Sequence, residues 1–217
     1  MKQNPVKSRE LFLAAGLVLL VLQPASAAVR SRNFPVVLRD GISLAAPILL
    51  DVDSDGTEEI LIGTRNTLYA LEADGNPVEG FPLDLRPLGR LATGIAGAVA
   101  DGESDKMAVL FFGTEDGKLV ALDGSGKILE GFPFKPDSAV SAAPSVAEHE
   151  EINGPAVAFG TASGSVYLLD LKGRPLPGFP RSCGARVSTS VTVSRLSPSE
   201  RPVLLFGDAR GRLHAWG

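Results

Sequence analysis

The chain has few of the residues that usually carry covalent cross-links or catalysis. Among its 217 residues there are one cysteine, Cys183, and two histidines, His149 and His214. A single cysteine excludes an internal disulfide, so the fold must be held by packing, with or without a metal ion. Neither histidine lies in a recognisable triad or metal-binding motif. These scarcities argue against an enzyme. We interpret Cys183 and His214 as packed residues and His149 as part of an exposed turn.

Basic clusters are also missing, and the only long apolar run is at the N-terminus. The formal net charge is −4 and no Lys/Arg cluster is present, which argues against a nucleic-acid partner. Residues 11–22 are apolar but too few for a typical membrane span, and they lie between a basic start and the small residues Ala25 and Ala27. We predict a secretory signal peptide at residues 1–27, with an uncleaved anchor helix as the alternative.

Cleavage of this peptide defines the mature protein. It would remove three cations and one glutamate, which changes the formal charge from −4 to −6. The mature chain, residues 28–217, is long enough for one domain with a substantial core. We therefore expect a secreted, periplasmic or otherwise extracellular protein without a membrane span.

What the chain does contain is a fourfold internal repeat. Phe-Pro occurs at Phe34, Phe81, Phe132 and Phe179, at spacings of 47, 51 and 47 residues. A Gly-Thr or Gly-Asp pair keeps a similar spacing, at residues 63–64, 113–114, 160–161 and 207–208. The segments NTLYALE, GKLVALD, GSVYLLD and GRLHAWG follow these pairs. Such periodicity indicates a repeat architecture.

The composition of each repeat predicts strands. The apolar runs are short, rich in Val, Ile, Leu and Phe, and separated by turn residues. The first apolar run of each repeat contains few large side chains, as in ATGIAGAVA at residues 92–100. Innermost strands around a common axis need such small residues. We predict an all-β fold, a β-propeller of about four four-stranded antiparallel blades, with a β-sandwich as the alternative. The predicted blades are residues 39–82, 83–133, 134–180 and 181–217.

The two ends of the repeat array are complementary. Residues 30–38 contain a Phe-Pro before the first complete set of strands, whereas the last repeat stops at Gly217 without its own Gly-Phe-Pro strand. Pairing of residues 30–38 with the last blade would close the ring and remove two open sheet edges, and we predict that closure. Four blades are the lower limit for propellers. A homodimer that forms a larger ring and a truncated fragment of a larger cell-surface adhesion protein are therefore alternatives.

The turn between the first two strands of the first repeat is strongly acidic. Residues 51–59 read DVDSDGTEE, with aspartates at alternate positions and a glycine that permits a sharp turn. Hard oxygen ligands of this kind are those that Ca²⁺ prefers, and five acidic side chains in nine residues repel one another without a cation. We predict one structural Ca²⁺ site here, with a solvated polar turn as the alternative. The predicted ligands are Asp51, Asp53, Asp55, Thr57 through its backbone carbonyl, and Glu59.

This loop resembles the calcium-binding loops of the FG-GAP/VCBS repeat family, which is related to the propeller of integrin α chains. Residues 51–63 fit the pattern D-x-D-x-D-G-x-x-[D/E]-[I/L]-ϕ-ϕ-G throughout, ϕ being apolar, and the repeat covers about 180 residues. The resemblance implies a non-catalytic, calcium-binding propeller that presents a surface to a protein or carbohydrate partner. A propeller fold alone does not choose a function.

The other repeats keep little of this loop. The second has Asp101, Glu103 and Asp105, but Lys106 replaces the glycine and Val109 replaces Glu59, so we predict at most a weak second site there. The third and fourth repeats lack a carboxylate cage.

An enzymatic relative is the alternative function. The strings GTEDGKLVALD and GTASGSVYLLD also resemble quinoprotein repeats, whose propellers can hold pyrroloquinoline quinone. Those repeats continue into Thr-Gly-Lys and a tryptophan that docks neighbouring blades. Here Gly-Phe-Pro follows, and the only tryptophan is Trp216. We therefore predict an exported, non-enzymatic, calcium-binding interaction module.

Overall fold

The computed structural model describes residues 33–40, 45–101, 106–149, 154–194 and 202–217. Within these ranges the regular secondary structure is β-strand, apart from one 3-10 helix at Arg86–Leu88, and turns and loops connect the strands. None of the described segments is a helix with the length and apolar character that a bilayer span requires. The predicted signal peptide and the first residues of the predicted closing strand lie outside the described residues.

The strands form four antiparallel sheets, which is the number of repeats in the sequence. The first contains β1 (Ile48–Leu50), β2 (Glu59–Gly63), β3 (Thr67–Leu71) and β4 (Leu83–Asp84); the second β5 (Leu91–Asp101), β6 (Lys106–Thr114) and β7 (Leu119–Asp123). The third contains β8 (Ser145–His149), β9 (Gly154–Gly160), β10 (Ser165–Leu169) and β11 (Arg181–Ser182); the fourth β12 (Thr192–Ser194), β13 (Val203–Gly207) and β14 (Leu213–Trp216). Strands within a sheet pair in chain order as antiparallel neighbours. Among the described residues two sheets have four strands and two have three, so the predicted four-stranded blade is seen in two of them. Strands β4 and β11 lie just beyond the predicted blade ends at residues 82 and 180, because the outer strand follows Phe-Pro.

Consecutive sheets are joined by three apolar clusters. Strand β6 shows how the sequence builds them, because its side chains alternate between two neighbours. Leu110 and Phe112 lie in the cluster shared with the first sheet, whereas Val109 and Phe111 lie in the cluster shared with the third. All four side chains are fully buried. Strands covered on both faces read as continuous apolar runs, as this strand does.

The glycine of the Gly-Thr pair is explained by the stacking of the sheets. A Cβ atom at these positions would collide with side chains of the segment that begins the next sheet, so only glycine fits there. A Cβ at Gly63 would be 2.6 Å from Leu91 Cδ2, one at Gly113 2.9 Å from Val140 Cβ, and one at Gly160 2.3 Å from Val187 Cγ1. The other marker, Phe-Pro, has a cis peptide bond in all four copies.

The array is open among the described residues. The innermost strands β1, β5, β8 and β12 pack in sequence, each against the next, and no comparable contact joins β12 to β1 within the described ranges. Asn33 lies on the first sheet, where its N–H donates to the carbonyl of Asp74 at 3.2 Å. No described strand pairs with the outer edge of β14. Closure by residues 30–38 thus stays a prediction.

Candidate functional site

The acidic loop connects β1 to β2 at the end of the innermost hairpin. Leu50 and Glu59 are the last paired residues before it, so the loop spans residues 51–58. Its backbone enters the left-handed region twice, at Ser54 (φ 65°) and at Gly56 (φ 93°). The second of these turns explains the glycine, since a side chain is disfavoured at that φ.

Three of the predicted ligands converge. Asp51, Asp53 and Glu59 each place one carboxylate oxygen within 4.8 Å of the others. Asp55 does not join this group. Its Oδ1 accepts a hydrogen bond from the Thr57 N–H at 2.7 Å, and its own N–H donates to Asp53 Oδ1 at 3.2 Å. The structure therefore gives Asp55 a role in shaping the loop.

Two buried oxygens of this cluster lack hydrogen-bond partners. Glu59 is fully buried, and its Oε2 accepts a hydrogen bond from the Val52 N–H at 2.7 Å. Its Oε1 and the Oδ1 of Asp51 have no hydrogen-bond partner among the described residues. Buried polar atoms are normally satisfied, and an unpaired buried carboxylate is costly. Burial, with repulsion from Asp53, raises the pKa of Glu59, although the bond from Val52 acts in the opposite direction.

The loop also contacts the second sheet. Ser54 Oγ donates a hydrogen bond to the carbonyl of Lys106 at 3.2 Å. Val52 is buried in the cluster between the first two sheets. Its carbonyl lies so close to Gly124 that a Cβ there would be 2.0 Å from the oxygen. A cation held by this loop would therefore stabilise both the hairpin and its contact with the next sheet.

The donor set fits a hard cation. All three converging groups are carboxylates, and neither nitrogen nor sulfur donors belong to this cluster. Oxygen-only sites with several carboxylates suit Ca²⁺ better than softer metals. Asp51, Asp53 and Glu59 would hold the ion, and its effect at this position would be structural.

The corresponding turn of the second repeat differs in its pairing. Val109, which aligns with Glu59, pairs with Ala98, and the ladder continues to a last pair between Asp101 and Lys106. Asp101 thus ends a strand opposite a lysine, whereas Asp51 lies in a loop. Glu103 and Asp105 lie outside the described residues, so the weak second site stays a prediction.

The structure brings together a second group of side chains that could bind a metal ion, and the sequence did not predict this group. Cys183, Asp208 and His214 place possible ligand atoms within 4.8 Å of one another. Asp208 is nevertheless saturated: Oδ1 accepts from the N–H groups of Arg210 and Arg212 at 2.9 and 3.0 Å. Oδ2 accepts from Arg212 Nε at 2.7 Å and from His214 Nε2 at 2.9 Å. The Cys183 thiol donates to the carbonyl of Ala185 at 3.0 Å.

The hydrogen bonds of this cluster indicate a structural role. A carboxylate that already accepts from arginine and histidine offers little to a metal ion. His214 stacks on Phe206 with ring centroids 4.7 Å apart, which confirms its prediction as a packed strand residue. Cys183 is half-buried against the cluster between the third and fourth sheets. A similar hydrogen-bonded group lies beside the third sheet. There Asp137 Oδ2 accepts from Ser163 Oγ at 3.1 Å, and the backbone N–H of Asp137 donates to the Tyr167 hydroxyl.

Asp208 leads to a prediction on acid stability. Hydrogen bonds from His214 and Arg212 hold the pKa of Asp208 well below its usual value, although burial opposes them. A lowered carboxylate pKa adds stability that is fully present above the unfolded value of about 3.9 and is lost as the pH falls through the folded value. We expect Asp208→Asn to lower the melting temperature at pH 7 and to flatten its decline below about pH 4.

Melting curves between pH 7 and pH 2 would check this prediction. Glu79→Gln, which changes an exposed carboxylate in the first repeat, is the matched control and should follow the wild type. An Asp208→Asn variant whose melting temperature declines in acid as steeply as that of the wild type would contradict the assignment.

Comparison with known proteins supports the fold and leaves the family open. No protein-family model and no curated protein matches the chain. The solved structure of BBS1N in complex with ARL6DN is 14% identical over 79% of this chain and 51% of that chain, with a TM-score of 0.50. BamB from Moraxella catarrhalis is 19% identical over 80% and 47% of the two chains, with a TM-score of 0.43. The computationally designed Ika4 protein is 16% identical over 73% and 84%, with a TM-score of 0.43.

The four sheets and the likeness to BBS1N define the class: this is a β-propeller-like, all-β protein. The chain spans about half the length of the BBS1N and BamB chains that it matches. At these identities the likeness shows the fold alone.

Proposed function

We propose that this protein is an exported interaction module of the FG-GAP/VCBS type that binds one Ca²⁺ ion between β1 and β2. The observation that carries the proposal is the pair of buried oxygens, Asp51 Oδ1 and Glu59 Oε1, which have no hydrogen-bond partner among the described residues. A divalent cation would satisfy both and would offset the repulsion among the acidic side chains of the loop.

The role of the ion is structural in this proposal. It would fix the loop, and through Val52 and Ser54 it would strengthen the contact between the first two sheets. The protein would have no catalytic function. The cluster at Asp208 is committed to internal hydrogen bonds, which supports this view.

The interaction role rests on the fold and the surface. The BBS1N structure holds that protein in complex with ARL6DN, so a related fold serves protein binding there. A cavity lined by Arg39, Asp40, Asp84 and Arg86 in this chain measures about 260 Å³, which is below the usual size of ligand pockets, about 300–1,000 Å³. Arg86 there is hydrogen-bonded to Asp84 at 2.8 Å. These features favour a protein or carbohydrate partner that contacts an open surface.

Affinity capture tests the interaction role. The protein is immobilised with Ca²⁺ or with chelator and exposed to an extracytoplasmic extract of its own organism. We expect a specific protein or glycan to be retained in Ca²⁺, and Glu59→Gln to retain less of it. Retention of nothing specific in either condition would contradict the interaction role and leave the calcium site to be judged by metal binding.

The proposal also includes an outer strand on the last sheet. The segment that follows Phe-Pro supplies this strand or bridge in the other sheets: Leu83 pairs with Leu68, Phe134 with Leu119 and Arg181 with Val166. Each pairing residue lies two positions after the phenylalanine. By this rule Val36 of the predicted closing strand would pair with Leu213.

A further inference from the structure

The acidic loop between β1 and β2 contains one buried apolar residue. Val52 lies between Asp51 and Asp53 in the chain and is 2% exposed, in the cluster shared by the first two sheets. The Val52 N–H donates to Glu59 Oε2 at 2.7 Å. Val52 is therefore connected to all three converging carboxylates, through the chain to two of them and through a hydrogen bond to the third. A shift of Val52 would change the separation of these ligands.

The second sheet contacts Val52 through Gly124, the residue that follows β7. A Cβ at Gly124 would lie 2.0 Å from the Val52 carbonyl oxygen and 3.1 Å from the Val52 carbonyl carbon, whereas Cβ atoms essentially never come within 3.0 Å of another heavy atom. The φ of Gly124 is outside the left-handed region, so this φ does not call for glycine. The close approach of the Val52 carbonyl is what requires glycine at this position.

The first and third repeats have a side chain where the second has Gly124. The segments NTLYALE, GKLVALD and GSVYLLD align, and the residues that follow them are Ala73, Gly124 and Leu171. Leu171 packs against the cluster between the second and third sheets. The second repeat, which alone has glycine here among these three, is also the one that follows the complete acidic loop of the first repeat. The glycine and the loop thus occur together, at one contact between repeats.

A hydrogen bond joins the loop to the second sheet at a further point. Ser54 Oγ donates to the carbonyl of Lys106 at 3.2 Å, and Lys106 is the first residue of β6. Asp53 therefore lies between two residues, Val52 and Ser54, that the second sheet contacts. Asp53 is the exposed one of the three converging carboxylates, so the contacts made by its two neighbours limit its movement.

We propose that the second sheet positions the ligands of the calcium site, with Gly124 as the main positioning residue and the Lys106 carbonyl as a second. This inference rests on the proposed function, because it concerns the same ion. Neither group would contact the ion. Gly124 would act by letting Val52 approach the second sheet, and this approach would hold the three carboxylates at the separation that the ion requires. The calcium site would then belong to two consecutive repeats and not to one loop alone.

The coupling between the ion and the second sheet acts in both directions. If contact with the second sheet raises the affinity for Ca²⁺, bound Ca²⁺ strengthens that contact by the same free energy. The ion would also offset a local repulsion, because Glu59 and Glu72 occupy facing positions next to the Ile60–Leu71 pair, where like charges are destabilising. The stability gained from Ca²⁺ would therefore be shared by the first two sheets.

Calcium affinity tests the role of Gly124 directly. Gly124→Ala changes no predicted ligand, and we expect it to weaken Ca²⁺ binding by about 10–100-fold, the usual effect of changing a group that orients metal ligands. Gly160→Ala is the matched control, because a Cβ there would be 2.3 Å from Val187 Cγ1 at the contact between the third and fourth sheets. Gly160→Ala should lower the melting temperature and leave the dissociation constant for Ca²⁺ unchanged. Calorimetric titration of the full chain measures that constant, at a temperature at which circular dichroism shows every variant to be folded.

Ser54→Ala is a milder test that does not depend on how well Gly124→Ala folds. This substitution removes the hydrogen bond to the Lys106 carbonyl. We expect it to weaken Ca²⁺ binding by about 2- to 10-fold, which corresponds to the loss of one hydrogen bond. Ser125→Ala is the control, because the Ser125 hydroxyl donates to Asp123 within the second repeat. Its dissociation constant for Ca²⁺ should equal that of the wild type.

The outcomes distinguish a failure of this inference from a failure of the calcium site. Wild-type affinity in both Gly124→Ala and Ser54→Ala would overturn the inference and leave the site in place. The same loss of affinity in Gly124→Ala and Gly160→Ala would also overturn the inference, because the affinity would then follow the overall stability. No binding of Ca²⁺ by the wild type would contradict the proposed function, and the inference with it.

Discussion

We expect saturating Ca²⁺ to raise the melting temperature of this protein by about 5–10 °C relative to a chelator. A ligand at a hundredfold excess over its dissociation constant adds about 2.7 kcal/mol to the free energy of unfolding. For a domain of this size each kcal/mol shifts the midpoint by about 2–4 °C. The physical reason is that Asp51 and Glu59 bury oxygens that lack hydrogen-bond partners among the described residues.

Three variants make this expectation specific. Asp53→Ala removes a converging carboxylate and should abolish most of the Ca²⁺-dependent shift. Glu58→Gln changes an exposed acid of the same loop outside the cluster and should keep the shift. Glu59→Gln can still accept the hydrogen bond from Val52 but lacks the buried charge. We expect Glu59→Gln to be at least as stable as the wild type in chelator and insensitive to Ca²⁺. An equal shift in wild type and Asp53→Ala would contradict the site.

We expect Phe159→Ala to lower the free energy of unfolding by about 3–5 kcal/mol, the usual cost of truncating a buried phenylalanine. The ring is 0% exposed and stacks on Tyr167 with centroids 5.0 Å apart. The ring of Phe159 also makes an edge contact with Phe134, which pairs with Leu119 of the second sheet, with centroids 6.1 Å apart. The loss should therefore weaken the contact between the second and third sheets as well as the third sheet itself.

Chemical denaturation measures this effect. Phe159→Leu should cost less, because it leaves a smaller cavity. Leu49→Ala, at a residue that is 60% exposed, should cost under about 1 kcal/mol. If Phe159→Ala unfolded at the same denaturant concentration as Leu49→Ala, the assigned stacking of the sheets would be wrong.

The repeat made the fold predictable from the sequence. Four copies of one pattern predicted the four antiparallel sheets, whereas the fourth strand of each sheet is present in only two of them among the described residues. The sequence showed that a glycine recurs in each Gly-Thr pair, but it did not show why a glycine is required there. The requirement depends on the approach of Val187 to Gly160 from another repeat, which local propensity does not encode.

The site was predictable in part. Alternating carboxylates pointed to a cation, and Asp51, Asp53 and Glu59 do converge. Their spacing alone could not separate ligands from loop-shaping residues, and Asp55 forms a hydrogen bond to Thr57 within the loop. Nor could alignment on the Gly-Thr marker show that Asp101 ends a strand opposite Lys106, because pairing register depends on the whole hairpin.

The cluster at Asp208 was missed for a related reason. Its sequence pattern is an aspartate in place of the threonine of the Gly-Thr pair, followed by Arg212 just before β14 and His214 within β14. Cys183 joins this cluster from the residue after β11 of the third sheet, at a distance in the chain that no local pattern reveals.

Calorimetric titration of Ca²⁺ into chelator-treated protein tests the central claim most directly. We predict one Ca²⁺ ion bound per chain in the wild type and in Glu58→Gln, and none in Asp53→Ala or Glu59→Gln under the same conditions. No binding by the wild type, or the same binding by the wild type and Glu59→Gln, would show that the loop between β1 and β2 is a polar turn and not a calcium site.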